Sequence, residues 1–306
     1  MTNNYDAIVI GGGHNGLAAG AYLAKAGANA IVLEKRHKTG GAADTSTPWP
    51  EYPDYKVTTY SYVSGLIPPS VVTDLQLERH GYKVLGYGGV YQAYPDGRSI
   101  NFDPAAPDNY DRIAAFSKKD ADAFHLYEEW LSRLADVLGP LLLKVPPHVG
   151  SKKFGDVMDQ GRLVWELRKK IDQRTAAEFT RMMTMSLTDF IEEWFESEQM
   201  KGIMAIDGVI GTWAGPDEPG TAYVLLHHAI TDIGDGMLGS WGFPEGGMGG
   251  VTDAFRKSAE SFGCKVRTEA GVAKVLVDNG RVKGVVLENG AVAPLPDFAS
   301  WNACST

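Results

Sequence analysis

Tyr5-Asp-Ala-Ile-Val-Ile-Gly11-Gly12-Gly13-His14-Asn15-Gly16-Leu17 is the stretch that decides the fold of this chain. Residues 5–10 form a short apolar run that halts at three glycines, as a buried parallel strand does on entering a tight turn. From Asn15 to Lys25 the residues Leu17, Ala18, Ala21, Tyr22 and Leu23 suit one helical face, and Gly27 ends it. Ala30-Ile31-Val32-Leu33 then supplies a second apolar strand, which completes a βαβ unit. Gly11-x-Gly13-x-x-Gly16 falls where strand meets helix, and that context makes a weak pattern a dinucleotide-binding fingerprint. Gly11 permits the tight turn, Gly13 lets the backbone approach a pyrophosphate, and Gly16 allows helix to pack closely on strand. His14 and Asn15 lie in the turn itself, where free N–H groups at the helix start attract phosphate oxygens. Glu34 closes the second strand about 20 residues beyond the turn, where a carboxylate accepts hydrogen bonds from the ribose hydroxyls of NAD or FAD. The same carboxylate repels a 2′-phosphate, although Lys35 and Arg36 follow it directly and soften that repulsion.

Outward from this unit, composition sets the bounds. The chain has 306 residues, 44% of them hydrophobic, and is long enough for about two domains. Its net charge of −9 argues against nucleic acid as a partner, because a phosphate backbone attracts Lys/Arg clusters. No apolar run is long enough for a transmembrane helix and no basic, apolar leader opens the chain, so a cytoplasmic protein is expected, with peripheral membrane contact left open. The two cysteines, Cys264 and Cys304, have neither redox-pair nor metal-ligand spacing.

The expected fold class is α/β, a discontinuous Rossmann-like domain with an inserted α+β substrate domain. Residues 1–50 form the first part of the dinucleotide domain and 51–240 the insert. Within the insert, 52–103 is β-rich, and 109 to about 210 is mainly helical, with capping signals at Ser117 and Ser186 and a break at Pro146-Pro147. Residues 241–290 return to the dinucleotide domain through the glycine run 246–250, a helix over 251–262, and two strands joined at Asp278-Asn279-Gly280. Residues 291–306, with Pro294 and Pro296, offer no convincing strand.

Fingerprint spacing does not separate NAD from FAD, so a second signal is needed. The run from Glu34 through Lys35 and Arg36 to Gly40, Gly41 and Ala42 resembles the glutathione-reductase-like flavoproteins, in which this loop runs beside bound FAD. The segments Gly13-His14-Asn15-Gly16-Leu17, Ser61-Tyr62, Asp74-Leu-Gln-Leu77-Glu-Arg-His80-Gly81, Tyr223-Val-Leu-Leu-His227-His228, Gly239-Ser-Trp241-Gly242 and Gly246-Gly247-Met248-Gly249 are similar to the phytoene desaturase-related FAD oxidoreductases. Within them, the resemblance extends to the pyridine nucleotide-disulfide oxidoreductase domain-containing branch and covers about residues 5 to 290. It implies FAD as cofactor, a place for Val272 on the adenine side of the site, and long apolar polyenes as the known substrates of relatives. The branch name mentions disulfides, but two distant cysteines offer no dithiol cycle. After Gly290 the family pattern continues with a stretch that lines the flavin ring, so a truncated or frame-shifted product is expected here.

The expected reaction is removal of hydride from a C–H bond of an apolar substrate onto FAD, with an unspecified electron acceptor. A redox-neutral polyene isomerase and a non-catalytic nucleotide-binding protein are the alternatives. No catalytic residue stands out. Adjacent His227 and His228 point in different directions and lack partners at ligand spacing, so no metal is expected, although either imidazole could face flavin or substrate. Tyr60, Tyr62, Trp213, Tyr223, Trp241 and Phe243 suit either an apolar pocket or ordinary packing. Trp194, Phe195 and Met200 read as helix-packing residues. No Gly-x-Ser-x-Gly elbow supports hydrolysis.

Overall fold

The computed structural model describes residues 5–86, 89–102, 108–234 and 239–295. The chain runs through β1 (Ala7–Ile10), α1 (His14–Lys25), β2 (Ala30–Leu33), β3 (Thr45–Ser46), β4 (Val57–Thr58), α2 (Pro69–Asp74), β5 (Val84–Gly86), β6 (Tyr91–Ala93) and β7 (Ser99–Asn101). Helices follow: α3 (Asn109–Ala114), α4 (Lys118–Leu138), α5 (Phe154–Leu167), α6 (Gln173–Thr184), α7 (Leu187–Glu192), α8 (Glu198–Met204), α9 (Ile206–Val209) and α10 (Ala222–His228). The last elements are β8 (Gly242–Pro244), α11 (Gly247–Ser261), β9 (Lys265–Arg267), β10 (Val272–Asp278), β11 (Arg281–Leu287) and β12 (Val292–Pro294). Two compact units result, one taking in the chain up to Gly86 and again from Gly242, the other lying between those points in sequence.

The first unit is built on a parallel sheet of order β1-β2-β9, with Ala7 opposite Ala30 and Val32 opposite Val266. All four residues of β2 are buried, which is why it reads as an unbroken apolar run rather than an alternating one. Leu17, Ala21 and Ala24 of α1 share a core with Val251, Phe255 and Ala259 of α11 and with Cys264. Close approach is built in: a Cβ on Gly20 would stand 2.7 Å from Val32 Cγ2 and 3.0 Å from Cys264 Sγ. A second, antiparallel sheet of order β10-β11-β12 carries its own core of Tyr5, Ile31, Leu33, Ala270, Val285 and Leu287. Its hairpin turns at Asn279 and Gly280, both at positive φ, as the Asp-Asn-Gly signal requires.

Three sequence expectations shift here. Residues 51–86 were expected in the insert, but they fold with the first unit. Leu75 and Leu77 are fully buried in the core of α1 and α11, Ser258 Oγ donates to the Leu75 carbonyl at 2.6 Å, and β5 pairs with β8. The stretch 52–103, expected to be β-rich, also holds the helix α2, and its short apolar pieces did not say which core they join. The helix expected over 251–262 starts inside the glycine run, at Gly247, because Gly249 and Gly250 lack the Cβ atoms that would meet Thr45 N at 2.9 Å and Glu245 O at 2.3 Å. Residues 292–294, expected to hold no strand, form β12 on the edge of the second sheet, where a proline needs no ladder donor. Gly284 permits the pairing, since a Cβ there would lie 2.3 Å from the Ala293 carbonyl oxygen. Pro296, Asn302 and Cys304 lie outside the described residues.

Among the described residues the second unit is helix-rich, with a hairpin of β6 and β7. Ser117 and Ser186 cap α4 and α7 by accepting from the Asp120 and Asp189 amides, as the spacing predicts. Tyr127, Trp130, Leu134 and Leu138 bury one face of α4 against Phe190, Phe195 and Met200. The Trp130 and Phe190 rings stack with centroids 5.2 Å apart, and Trp194 packs on the edge of Tyr127 at 5.6 Å. Trp194, Phe195 and Met200 are thus packing residues. Asp120, fully buried, accepts from the Glu196 and Ser197 amides and from the Ser197 hydroxyl, which ties the start of α4 to the start of α8.

The tightest joint is Gly16, where a Cβ would sit 2.0 Å from the Gly11 carbonyl oxygen. Gly16→Ala therefore forces α1 off the strand and should lower stability by about 1–3 kcal/mol. Thermal denaturation of the two proteins checks this, and an unchanged midpoint would show that helix and turn are not in contact.

Candidate dinucleotide-binding site

Strand β1 delivers the chain into the turn at Gly11, whose φ of +102° only glycine adopts readily. The Gly11 amide donates to the Leu33 carbonyl at 2.8 Å, so the turn begins directly over the end of β2. There Glu34 is nearly buried, at 7% exposure, and its carboxylate faces the turn. Oε2 accepts from the Gly12 amide at 2.6 Å and Oε1 from the Arg36 amide at 2.8 Å. The main chain of Glu34 is fixed as well, its amide donating to Arg267 O and its carbonyl accepting from the Ala270 amide, both at 2.8 Å. A carboxylate offers about four acceptor positions, so these two amides leave about two free, as many as a ribose has hydroxyls to donate.

The loop after β2 folds back onto the turn. The Gly40 amide donates to Gly12 O at 2.9 Å, Gly13 and Gly40 form a parallel bridge, and a Cβ on Gly41 would lie 3.2 Å from the Gly13 Cα. A Cβ on Gly11 would meet nothing within 4 Å, and one on Gly13 only Gly40 O and Gly41 Cα at 3.9 Å, so the turn keeps an open side. Helix α1 starts there with neither a side-chain cap nor an acidic residue in its first turn. Leu17 is the first residue whose amide reaches back into the helix, to Gly13 O, and the amides of His14, Asn15 and Gly16 precede it without an intrahelical acceptor. Those donors and the positive end of the helix dipole suit an anion. Partial burial lowers the His14 pKa below 6.5, so at neutral pH the attraction comes from backbone rather than from an imidazolium.

The structure thus brings together Gly11, Gly13, His14, Asn15, Gly16, Glu34, Gly40 and Gly41. Ala42 lies exposed on the same loop. Val272 is not at the turn: it opens β10 opposite Leu287, half-buried against the core that includes Ile31 and Leu33. The two cations expected to soften the charge of Glu34 also have other partners, and Arg36 keeps a charge interaction with Glu34. Lys35 Nζ pairs with Glu288 at 2.9 Å, which raises its pKa, and Arg36 donates to Asp44 at 2.7 Å and to Gly41 O at 3.2 Å.

Sequence reading passed over four contributors. Gly12 counted as a variable position, yet its Cβ would come 2.9 Å from that of Glu34. Asp44, nearly buried, holds both Arg36 and Lys38. Thr45 Oγ1 accepts from the Gly249 amide and donates to Gly246 O, and Thr252 donates to Ala43 O, which ties the loop to the first turn of α11. Only the spacing of three consecutive glycines and the run at 246–250 hinted at these contacts.

The other candidates have surroundings of their own. Cys264 is buried, its thiol pushed up to about 11 by desolvation, so it holds little reactive thiolate. His228 is buried beside Trp241, with Nδ1 at 2.5 Å from the Asp207 carbonyl oxygen, and His227 packs near Tyr223 with its pKa lowered by burial and by its neighbour. Among the described residues no group of three His, Cys, Asp or Glu is placed to hold a metal ion.

Two outcomes follow. Glu34→Ala removes a charge-assisted acceptor worth about 1.5–3 kcal/mol, so a flavin or ADP-ribose titration should show a dissociation constant raised about tenfold to a hundredfold; equal affinity would remove Glu34 from the site. For Asp44, burial alone raises the pKa, but hydrogen bonds and charge from Lys38 and Arg36 outweigh it and hold the carboxyl below its ordinary 3.8. Its contribution is fully present above that value and lost as pH falls through the lower folded pKa. Asp44→Asn should cost about 1–2 kcal/mol at neutral pH, given cations about a third exposed, and denaturant melts should show the gap closing below pH 3.8. A gap independent of pH would place the effect outside this ion pair.

Residues 9–64 match the family model of an NAD(P)-binding Rossmann-like domain. Pyridine nucleotide-disulfide oxidoreductase domain-containing protein 2 of Rattus norvegicus is 39% identical over 301 residues, which cover 94% of this chain and 51% of the rat protein. Phytoene desaturase of Neurospora crassa is 27% identical over 94% of this chain and 46% of its own. Wild-type putrescine oxidase bound to putrescine superposes over 96% of this chain and 57% of its own, with a TM-score of 0.58 at 16% identity, a likeness of fold alone. The chain spans about half the length of the curated relatives it matches. It is thus similar to the pyridine nucleotide-disulfide oxidoreductase domain-containing protein 2 and, at lower identity, to the phytoene and carotenoid desaturases, and its residues 9–64 match the Rossmann-like NAD(P)-binding model.

Proposed function

We propose that the glycine turn and Glu34 hold the adenosine diphosphate part of FAD, and that the protein oxidises an apolar small molecule by removing hydride from a C–H bond. The observation that carries this reading is the Glu34 carboxylate, held by the Gly12 and Arg36 amides with acceptor capacity to spare. Its carboxylate accepts from the ribose hydroxyls, while the amides of His14, Asn15 and Gly16 donate to the pyrophosphate. The negative charge of Glu34 disfavours a 2′-phosphate, while Arg36, paired with Asp44, offsets part of it. When bound, FAD supplies the two-electron acceptor. In an oxidation of this class, hydride leaves one carbon and a proton leaves its neighbour, so a double bond forms; reoxidation then needs oxygen, a quinone or another acceptor. The desaturases among the relatives support an apolar substrate, and the exposed Tyr60, Tyr62 and Phe243 of the first unit are residues on which one could rest.

The purified chain, incubated with FAD and freed of excess, should show flavin absorbance bands and release FAD identified by mass. Under anaerobic conditions a polyene or terpene should bleach those bands and gain a double bond. A chain that retains no flavin would overturn the cofactor assignment. Retained flavin that no lipophilic compound reduces would overturn hydride removal and leave the binding site standing.

A further inference from the structure

Helices α4 and α9 of the second unit both pack on α10, and polar side chains gather where they meet. His228 is buried, and its Nδ1 lies 2.5 Å from the main-chain carbonyl oxygen of Asp207. A carbonyl only accepts, so the proton sits on Nδ1 and Nε2 is left as an acceptor. Asp207 itself is half-buried and interacts electrostatically with His228 and with Tyr127 of α4. Among the described residues no side chain or amide donates to its carboxylate, and burial pushes its pKa up. Tyr127 is 3% exposed, and its hydroxyl likewise meets no hydrogen-bond partner among the described residues. Nδ1 of His227 is buried without one too, on a ring that burial keeps neutral at neutral pH.

The inventory of this cluster is one-sided. A carboxylate and two imidazoles offer lone pairs, one of them on a nitrogen fixed as an acceptor, and the phenol alone adds a hydroxyl proton. A carboxylate withdrawn from water is costly unless a cation or several donors satisfy it, and no Lys or Arg among the described residues pairs with Asp207. Aromatic rings stand around it: Trp241 lies 5.3 Å from the His228 ring and Tyr223 6.0 Å from that of His227, centroid to centroid. Such faces attract a compact cation. An anionic ligand would set its charge against Asp207. A metal ion fits less well, because among the described residues no three His, Cys, Asp or Glu are placed to hold one. The group that complements these residues carries positive charge and several N–H donors on a small head, as a primary ammonium does.

We infer that Asp207, His228 and Tyr127 form a binding site for a small primary ammonium compound within the second unit. This does not rest on the flavin reading. Isothermal titration of the full chain with ethylamine, which is protonated at neutral pH, tests it against ethanol, which has the same carbon skeleton without the charge. Ethylamine should bind, and ethanol about tenfold more weakly or worse. Asp207→Asn keeps the main-chain carbonyl that His228 uses and should weaken ethylamine binding about tenfold to a hundredfold. His228→Asn puts an amide nitrogen near the place of Nδ1, removes Nε2, and should weaken it about fivefold. Circular dichroism and melting confirm that the variants fold, and the comparison of ethylamine with ethanol needs no variant. Neither heat nor a raised melting temperature with millimolar ethylamine would overturn the assignment, since water alone would then satisfy these groups. So would equal affinity for ethanol, or ethylamine binding that Asp207→Asn leaves unchanged.

Discussion

The first unit depends on one buried charge. Glu34 ends β2 with its carboxylate turned under the glycine turn, and burying an anion is costly unless donors satisfy it. Here the donors are the backbone amides of Gly12 and Arg36, one from the turn and one from the strand end. The same residue therefore sets the height of the turn above the sheet and leaves a carboxylate edge beside the open start of α1. Every further feature of the site follows from that position. Gly12 must lack a Cβ because Glu34 lies beneath it, Gly16 because α1 has to leave the turn against Gly11, and Gly40 is drawn in by its bond to Gly12 O.

Around this centre the fold closes by ties between residues far apart in sequence. Asp44 gathers Arg36 and Lys38, Thr45 and Thr252 pin the loop after β2 to α11, and Ser258 holds the segment that contains Leu75. The returning segment from Gly242 is thus part of the nucleotide-binding unit rather than an appendage to it. It supplies α11, the third parallel strand β9, and the Ala270 amide that fixes the backbone of Glu34.

The legible parts of the sequence were the local ones. Strand, turn and helix from Tyr5 to Lys25 follow from apolar periodicity and glycine placement, and the helix caps at Ser117 and Ser186 follow from a side chain meeting an amide three residues on. Glu34 was visible because its distance from the turn is set by the length of one βαβ unit. What escaped depends on tertiary partners. Nothing local in Leu75 and Leu77 says that they pack on α1 and α11, and nothing in Val292-Ala-Pro294 says that Gly284 leaves room for an edge strand. Lys35 and Arg36 looked free to meet a phosphate because Glu288 is more than 250 residues away from Lys35 and Asp44 sits across a loop.

Hydrogen–deuterium exchange of the full chain with and without FAD addresses the central assignment most directly, because it reads the backbone amides that are said to hold the nucleotide. Slowed exchange in peptides spanning Gly11–Leu17 and in those covering Glu34–Ala42, with the helices of the second unit unchanged near α7 and α8, is the result predicted. FAD that binds without slowing exchange in either of those two segments would contradict the account and place the cofactor elsewhere on the chain.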